Sequence, residues 1–382
     1  VPVLAQMADL SGVHGVSFWV AAINGLLADA WLLRGRPSAA SARLVIVAAI
    51  IALVTSYGAW RLYTTRLRPL APIAIVQPNI PQEEKWQAEN RGRIIGILSS
   101  LTRQAVARRD ARLIAWPEAA LPGFLPDHPE WADTLAHLAT AGNVPLLVGA
   151  LDATRTTRDD VRYYNAAMLT DTTGAIDWRH VYHKTYLVPV VERVPFFNPA
   201  WFARLQWFGG YSRGGAPSVF RLPFGNVGVL ICYESAFAAR SRLYRRRGAD
   251  LLINITNDAW FGRTVAPHQH AAHLVLRAIE NRVGIVRAAN TGISEYVDPL
   301  GRVHGATSLF TTGVRTYPTA TTAIRPLYVR MGDWIGTGSV LTLLALLLFP
   351  WRRRQAPHAD HHLEATTPKR SPARFTGISE RQ

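Results

Sequence analysis

Three long runs of apolar residues stand out in this chain, over residues 13–33, 44–60 and 334–351. Each is close to the roughly 20 residues that a helix needs to cross the hydrocarbon core of a bilayer. The second and third contain no charged residue, and Trp or Tyr stands near their ends, where aromatic rings favour the membrane interface. The pattern predicts three membrane-spanning helices, with a buried helix of a soluble core as the alternative. The first run is the weakest, because it contains Asn24 and Asp29.

The region between the second and third runs has a different pattern, in which short apolar segments alternate with amphipathic ones. Short segments bounded by turn residues predict strands over 72–77, 113–116, 145–149, 226–231 and 250–254. Apolar residues at helical spacing predict helices over 92–108 and 268–282. Strands that alternate with helices indicate an α/β domain whose strands are buried on both faces.

These patterns divide the chain into four parts. We predict membrane helices within 1–68, the α/β domain over 69–325, a third membrane helix within 326–351 and a disordered basic tail over 352–382. Lys and Arg favour cytoplasmic loops. Basic residues of the first loop and of the tail therefore predict that the α/β domain lies on the outer face: Arg34, Arg36, Arg43, Arg352, Arg353 and Arg354. Arg61, Arg66 and Arg68 run against this rule.

Composition narrows the classes of partner. The formal net charge is +16, while 49% of the residues are hydrophobic and only 18% are charged. Such a charge suits nucleic acid or an anionic membrane surface. The Arg residues form no single stripe, the sequence has no recognisable nucleic-acid-binding motif, and much of the basic excess lies near the apolar runs. We therefore expect a membrane partner and no nucleic acid.

The one cysteine of the chain, Cys232, is the first candidate for chemistry. It follows an apolar strand-like segment and is either a small buried residue or a nucleophile. Glu118 and Lys184 adjoin similar apolar segments, so all three side chains would meet at strand ends. A carboxylate at an apolar rim can act as a general base, and a Lys can stabilise an oxyanion together with the backbone N–H of Tyr233.

The segments around these residues, WPEAALP, YHKTYLVPVVERVPF and GVLICYESAF, resemble the motifs of the nitrilase (carbon–nitrogen hydrolase) superfamily. More narrowly, they resemble the apolipoprotein N-acyltransferases, as do VQPNIPQEEKW at 76–86 and residues 254–303. The likeness covers about residues 1–350 in order. It implies a nitrilase-like α-β-β-α sandwich flanked by transmembrane helices.

The resemblance also implies roles for individual residues. Cys232 would be the nucleophile, Glu118 the general base and Lys184 the oxyanion residue. Residues in supporting or substrate-binding roles would be Glu192, Tyr233, Glu234 and Trp86. The family usually has Gly before the second glutamate, where this chain has Val191, and it has further helices upstream, so we expect this chain to be truncated at its N-terminus.

The resemblance implies an acyl transfer in the bacterial inner membrane, with the active site on the periplasmic face. A phospholipid would give its acyl chain to Cys232, and the N-terminal amine of a diacylglyceryl-cysteine lipoprotein would accept it. No metal or organic cofactor is needed, and we expect a monomer. Two alternatives stay open: a membrane-anchored amidase that uses water as acceptor, and a non-catalytic membrane scaffold.

Two further segments carry clusters of functional side chains. Residues 196–211 are dense in aromatics, and we predict that Trp201 and Trp207 belong to an arm that enters the lipid headgroup layer and binds substrate. His268, His270 and His273 lie close together but fit a helical zinc motif poorly, since no Cys or carboxylate is near them in the sequence. We interpret these histidines as packing residues at the start of a helix.

Overall fold

The computed structural model describes residues 2–155, 161–192, 210–217 and 219–348. Twelve strands are formed in these ranges: β1 Arg68–Gln77, β2 Leu113–Ala115, β3 Leu146–Arg155, β4 Val161–Thr170, β5 Tyr182–His183, β6 Phe220–Leu222, β7 Gly225–Ile231, β8 Leu251–Thr256, β9 Gly284–Ala289, β10 Glu295–Val297, β11 Val303–His304 and β12 Gly313–Thr321. Ten α-helices accompany them there: α1 Pro2–Ala5, α2 Ala8–Leu32, α3 Pro37–Thr64, α4 Gln82–Lys85, α5 Arg91–Ala107, α6 Pro129–Gly142, α7 Ala238–Arg246, α8 Ala266–Asn281, α9 Leu327–Met331 and α10 Trp334–Leu348.

The strands form two six-stranded sheets. The first has the order β12-β1-β2-β3-β4-β5, and the second has the order β11-β10-β9-β8-β7-β6. The central strands β1, β2 and β3 are parallel, as are β7, β8 and β9, whereas the outer strands pair in antiparallel fashion. Parallel strands require crossover segments, which explains the alternation of strand and helix patterns along the chain.

The two sheets pack face to face, with helices on the outside. Ile73 and Ile75 of β1 belong to one buried cluster with Val229 and Ile253 of the second sheet. The alternate residues of β1 join a second buried cluster with α5 and α6. Helices α7 and α8 cover the other sheet. Central strands are buried on both faces, which explains why most of their residues are apolar. The predicted α-β-β-α sandwich is confirmed.

Helices α2 and α3 contain the first two apolar runs and are long and apolar enough to cross a membrane. Helix α2 begins earlier than predicted and kinks at Gly12, which has a φ of 68°. The two polar residues of the first run are satisfied locally: Asp29 accepts from Arg43 Nε at 2.8 Å, and Asn24 donates to the Val20 carbonyl at 2.8 Å. Helix α10 covers the described part of the third run.

A buried polar cluster joins α1, α2 and α3 to the α/β domain. We call it the junction cluster; it comprises Gln6, Asp9, Tyr57, Arg61 and Arg282. Asp9 accepts from Arg282 Nη2 at 2.7 Å, from Tyr57 Oη at 2.7 Å and from Arg61. Arg282 also donates to Gln6 Oε1 at 2.6 Å. These bonds fix the start of α2 and the end of α3 against the turn that follows α8.

Candidate active site

A cavity of about 200 Å³ opens between the two sheets, at the ends of their parallel strands. It is lined by polar and aromatic side chains that come from separate parts of the chain: Trp86, Glu118, Asn165, Lys184, Glu192, Tyr211, Cys232, Asn257, Trp260 and Phe261. Ends of parallel strands are a common place for ligand sites in α/β proteins. The structure therefore brings Glu118, Lys184 and Cys232 to one cavity.

Glu118 lies three residues beyond β2 and is 6% exposed. Its Oε1 accepts from Asn165 Nδ2 at 2.7 Å and from Lys184 Nζ at 3.1 Å, and its Oε2 accepts from the Asn257 N–H at 2.8 Å. The Asn257 bond comes from the second sheet, so this carboxylate bridges the sandwich. A Cβ on Gly149 would lie 2.1 Å from the Pro117 carbonyl oxygen, which explains why glycine stands beside the Glu118 segment.

Lys184 follows the short strand β5 and is 1% exposed. Its Nζ donates to Glu192 Oε1 at 2.7 Å as well as to Glu118. Burial opposes the charged form of Lys184, yet the negative charges of Glu118 and Glu192 hold the pKa of Lys184 well above its usual range. Burial likewise opposes the ionised form of Glu118, but the Lys184 charge and three hydrogen-bond donors hold its pKa below the usual range.

Cys232 is the first residue of the turn after β7 and has a left-handed backbone with a φ of 51°. This conformation is uncommon for a residue other than glycine, and it turns the side chain out of the strand direction. Burial raises the pKa of the Cys232 thiol, and the Glu118 charge raises it further. These shifts favour a neutral thiol and an ionised carboxylate at one cavity, which is the combination that general-base activation requires.

Glu234 connects the turn that begins at Cys232 to the segment that carries Lys184. It is fully buried and accepts from Tyr182 Oη at 2.6 Å, from the Thr185 N–H at 2.8 Å and from the Ile231 N–H at 2.9 Å. Tyr182 and Thr185 flank Lys184, whereas Ile231 precedes Cys232. This carboxylate therefore fixes two functional segments from different sheets relative to each other, without itself lining the cavity.

Comparisons with known proteins agree with this architecture. The carbon-nitrogen hydrolase family model matches residues 72–328. The chain is 34% identical over 364 residues to an apolipoprotein N-acyltransferase of Geobacter metallireducens, covering 93% of this chain and 68% of the relative. A second apolipoprotein N-acyltransferase, from Chlorobaculum tepidum, is 31% identical over 375 residues, with 90% and 70% covered.

The chain belongs to the apolipoprotein N-acyltransferase family. Among solved structures, Nit3 of Saccharomyces cerevisiae, described as a nitrilase-superfamily member, is similar with a TM-score of 0.51. It covers 76% of this chain and 98% of its own, at 16% identity. That likeness concerns the sandwich fold alone. The family assignment confirms the resemblance noted in the sequence motifs.

The remaining residues singled out by the family motifs occupy different positions. Trp86 lines the cavity, with Lys85 Nζ 5.3 Å from the centre of its ring. The Tyr233 ring is 36% exposed and packs edge-on against Phe237. Trp201 and Trp207 lie outside the described residues, as does most of the predicted aromatic arm.

The loop before Glu192 has an unusual backbone, as the missing family glycine suggests. The left-handed conformation falls at Val190, with a φ of 69°, rather than at Val191. Glu192 nevertheless closes the loop, since its Oε2 accepts from the Val188 N–H at 2.8 Å. The carboxylate is thereby directed toward Lys184 even without a glycine at position 191.

Sequence reasoning missed Asn165 and Lys85. Asn165 donates to both Glu118 and Glu192. Lys85 is 2% exposed and donates to the backbone carbonyl of Glu118 at 3.2 Å. Burial lowers the pKa of Lys85 to about 8, so this amine lies close to its titration point near neutral pH. In the sequence, the position of Lys85 directly before Trp86 could have indicated that Lys85 belongs to the site.

His268, His270 and His273 lie on α8 and have different surroundings. Within the described ranges no group of three or more His, Cys, Asp or Glu residues is placed to hold a metal ion. His268 is exposed on α8, whereas His270 points inward, where Nδ1 lies 2.9 Å from Asp258 Oδ1. His270 is thus a buried residue near the start of α8 that has a polar partner.

Proposed function

We propose that this protein transfers an acyl chain from a phospholipid to the N-terminal amine of a diacylglyceryl-cysteine lipoprotein, through a thioester on Cys232. The observation that supports this most strongly is the meeting of a thiol, a carboxylate and a buried Lys at one cavity in a chain of this family. Each of the three side chains has a chemically distinct part in covalent catalysis.

In the first step, the Cys232 sulfur attacks the ester carbonyl of the phospholipid while Glu118 takes the thiol proton. Lys184 Nζ and the Tyr233 N–H stabilise the oxyanion. The carbon–oxygen ester bond breaks, and Glu118 returns the proton to the departing lysophospholipid alkoxide. The products of this step are an acyl thioester and a lysophospholipid.

In the second step, the lipoprotein amine attacks the thioester carbonyl and the carbon–sulfur bond breaks. Glu118 accepts the amine proton and passes it to the departing sulfur, which leaves as the thiol. The sum of both steps converts one ester and one amine into one alcohol and one amide. Glu192 accepts a hydrogen bond from Lys184, and Asn165 donates to both Glu118 and Glu192. These buried hydrogen bonds keep Lys184 and Glu118 in place.

We further propose that α2, α3 and α10 cross the bacterial inner membrane and that the α/β domain lies on its outer face. The supporting observations are the apolar, exposed surfaces of the first two helices and the basic loop between them. Trp260 at the cavity is 56% exposed, and Phe261 beside it is 38% exposed. Such aromatic rings favour the membrane interface, where a lipid substrate would enter.

The test is to incubate the membrane-embedded protein with acyl-labelled phospholipid and a diacylglyceryl peptide that has a free N-terminal amine. The same peptide with its amine acetylated is the matched control. We expect label in an amide of the free-amine peptide only. Release of labelled fatty acid without amide would show a hydrolase, and the absence of both products would support a non-catalytic scaffold.

A further inference from the structure

The carbonyl group of Cys232 is held by side chains from two other elements. His270, on α8, places Nε2 3.1 Å from this carbonyl oxygen, and Asn254, on β8, donates from Nδ2 at 3.4 Å. His270 is only 7% exposed, and Asn254 is fully buried. The backbone on the C-terminal side of the sulfur-bearing residue is therefore anchored to the second sheet and to its covering helix.

The direction of the His270 bond follows from its partner. A carbonyl oxygen only accepts, so Nε2 of His270 must carry the proton that it donates to Cys232. On the opposite side of the ring, Nδ1 lies 2.9 Å from Asp258 Oδ1 and 3.1 Å from Arg287 Nη2. Whichever of these contacts is made, the ring is held at both nitrogens. Its orientation is therefore fixed within the fold.

Asp258 is in turn fixed by two partners. Its Oδ2 accepts from Arg287 Nη2 at 2.7 Å, and its Oδ1 accepts from Thr256 Oγ1 at 3.0 Å. Thr256 ends β8 and Arg287 lies in β9, so the anchor begins in the central strands of the second sheet. A continuous set of hydrogen bonds runs from these strands through Asp258 and His270 to Cys232.

These hydrogen bonds end at a residue, Cys232, that has a left-handed backbone conformation. Such a conformation is unfavourable for a residue other than glycine and persists only when its surroundings hold it. We propose that His270, oriented by Asp258, is a positioning residue that holds Cys232 in the left-handed conformation and so directs its sulfur toward Glu118. This inference rests on the proposed role of Cys232 as the nucleophile.

The geometry distinguishes this role from that of a catalytic base. In a thiol–imidazole pair, the ring accepts the thiol proton, but here the Nε2 proton of His270 is committed to the Cys232 carbonyl. His270 acts on the backbone, and Glu118 remains the base. The expected signature is a slower reaction of the thiol at unchanged affinity for the lipid.

Three substitutions at one position separate the two bonds of the ring. His270→Leu removes both. His270→Asn puts an amide near the Nδ1 position, so it keeps a bond to Asp258 but is too short for the Cys232 carbonyl. His270→Gln places an amide N–H near the Nε2 position and restores the donor. His268→Leu, on the exposed side of the same helix, is the matched control.

The measurement is the rate of iodoacetamide alkylation of Cys232, the one cysteine in the sequence, together with kcat and KM for phospholipid. Both rates are expressed per folded protein. We expect the leucine and asparagine variants to lose roughly 10- to 100-fold in alkylation rate and kcat with unchanged KM, and the glutamine variant to stay within about threefold of the wild type. The control variant should match the wild type.

Equal losses in the glutamine and asparagine variants would overturn the proposal, because the donor to Cys232 would then be irrelevant. So would a folded leucine variant that reacts at the wild-type rate, or an asparagine variant that fails to fold while the glutamine variant folds. Alkylation needs no lipid. If the wild type forms no acyl-enzyme from phospholipid, the proposed function fails while the alkylation contrast still decides the role of His270.

Discussion

Two buried ionic clusters in this molecule are built alike and differ in what surrounds them. At the cavity, Lys184 is paired with Glu118 and Glu192; in the junction cluster, Arg282 is paired with Asp9. Lys184 is 1% exposed, and Arg282 and Asp9 are fully buried. Burial and pairing are therefore no guide to which cluster performs chemistry.

The difference lies in the neighbours. The Lys184 cluster borders a cavity that Cys232 also lines, and the pKa shifts there favour a neutral thiol and an ionised Glu118. The junction cluster packs the first helices against the turn after α8, and its charged groups contact one another. A functional site needs space for a substrate and a group that can change its protonation state; a structural cluster needs only complete pairing.

The largest expected effect comes from Cys232→Ala. We expect acyl-enzyme formation to disappear and turnover to fall by roughly 10³-fold or more, because the covalent step has no other nucleophile. Thermal unfolding in detergent should change little, since the thiol is half-buried. Turnover above about one tenth of the wild-type value would show that the cavity does not work through a thioester.

The second prediction contrasts one carboxylate from each cluster. Glu118→Gln should lower turnover by roughly 10²- to 10⁴-fold, because the general base is lost. The fold should tolerate this change, since Lys184 keeps Glu192 as a partner. Asp9→Ala should do the opposite: it leaves Arg282 buried beside Arg61 and destabilises the protein by about 3–5 kcal/mol.

The comparison uses turnover per folded protein and the midpoint of thermal unfolding for each variant. If Asp9→Ala abolished turnover without lowering the midpoint, the junction cluster would have a direct part in catalysis. If Glu118→Gln lowered only the midpoint, the cavity cluster would be structural. Either result would reverse the distinction between the two clusters.

A smaller effect is expected at the backbone that supports Glu118. In Gly149→Ala the new methyl group would meet the Pro117 carbonyl oxygen and push the Glu118 segment away from Lys184. We expect kcat to fall by roughly tenfold to a hundredfold. The matched control is Gly96→Ala, at an exposed helical position with open space, which should stabilise α5 by about 0.5–1 kcal/mol and leave kcat unchanged.

The smallest expected effect is a missing pH dependence. The pKa of Glu118 lies below its ordinary value of 4.5, and that of Cys232 lies above its ordinary value of 9.0. Between pH 4.5 and the pKa of about 8 of the neighbouring Lys85, the base stays ionised, the thiol stays protonated and Lys85 stays charged, so the rate of acyl-enzyme formation should be flat. Rapid quenching with intact-mass detection measures it. A rate that rises tenfold per pH unit through this window would indicate a reaction that depends on free thiolate.

Much of the fold could be predicted from the sequence, because the central strands are buried on both faces and give continuous apolar segments. The strand predicted at 226–231 is observed as Gly225–Ile231, whereas the one predicted at 145–149 extends to Arg155. Outer strands of two or three residues, such as Tyr182–His183, are too short to show a period. These short outer strands are held by pairing with their neighbours, which the sequence alone does not reveal.

Some residues of the site could likewise be predicted from the sequence, and others could not. Glu118, Lys184 and Cys232 each stand in a local segment, so their order and spacing could be recognised. Asn165 and His270 act through partners 47 and 38 residues away, and no local pattern indicates those contacts. The three histidines of α8 look equivalent in the sequence, and only the packing of the helix shows that His270 is the one that contacts the carbonyl of Cys232.

The most direct test of the central claim is the intact mass of the protein after incubation with a phospholipid of defined acyl chains and no acceptor. We predict that the wild type gains the mass of one acyl group, that Cys232→Ala gains none, and that addition of a diacylglyceryl peptide with a free amine removes the added mass while the peptide gains it. An unmodified wild type that still acylates the peptide, or an acyl group retained by the alanine variant, would contradict the account.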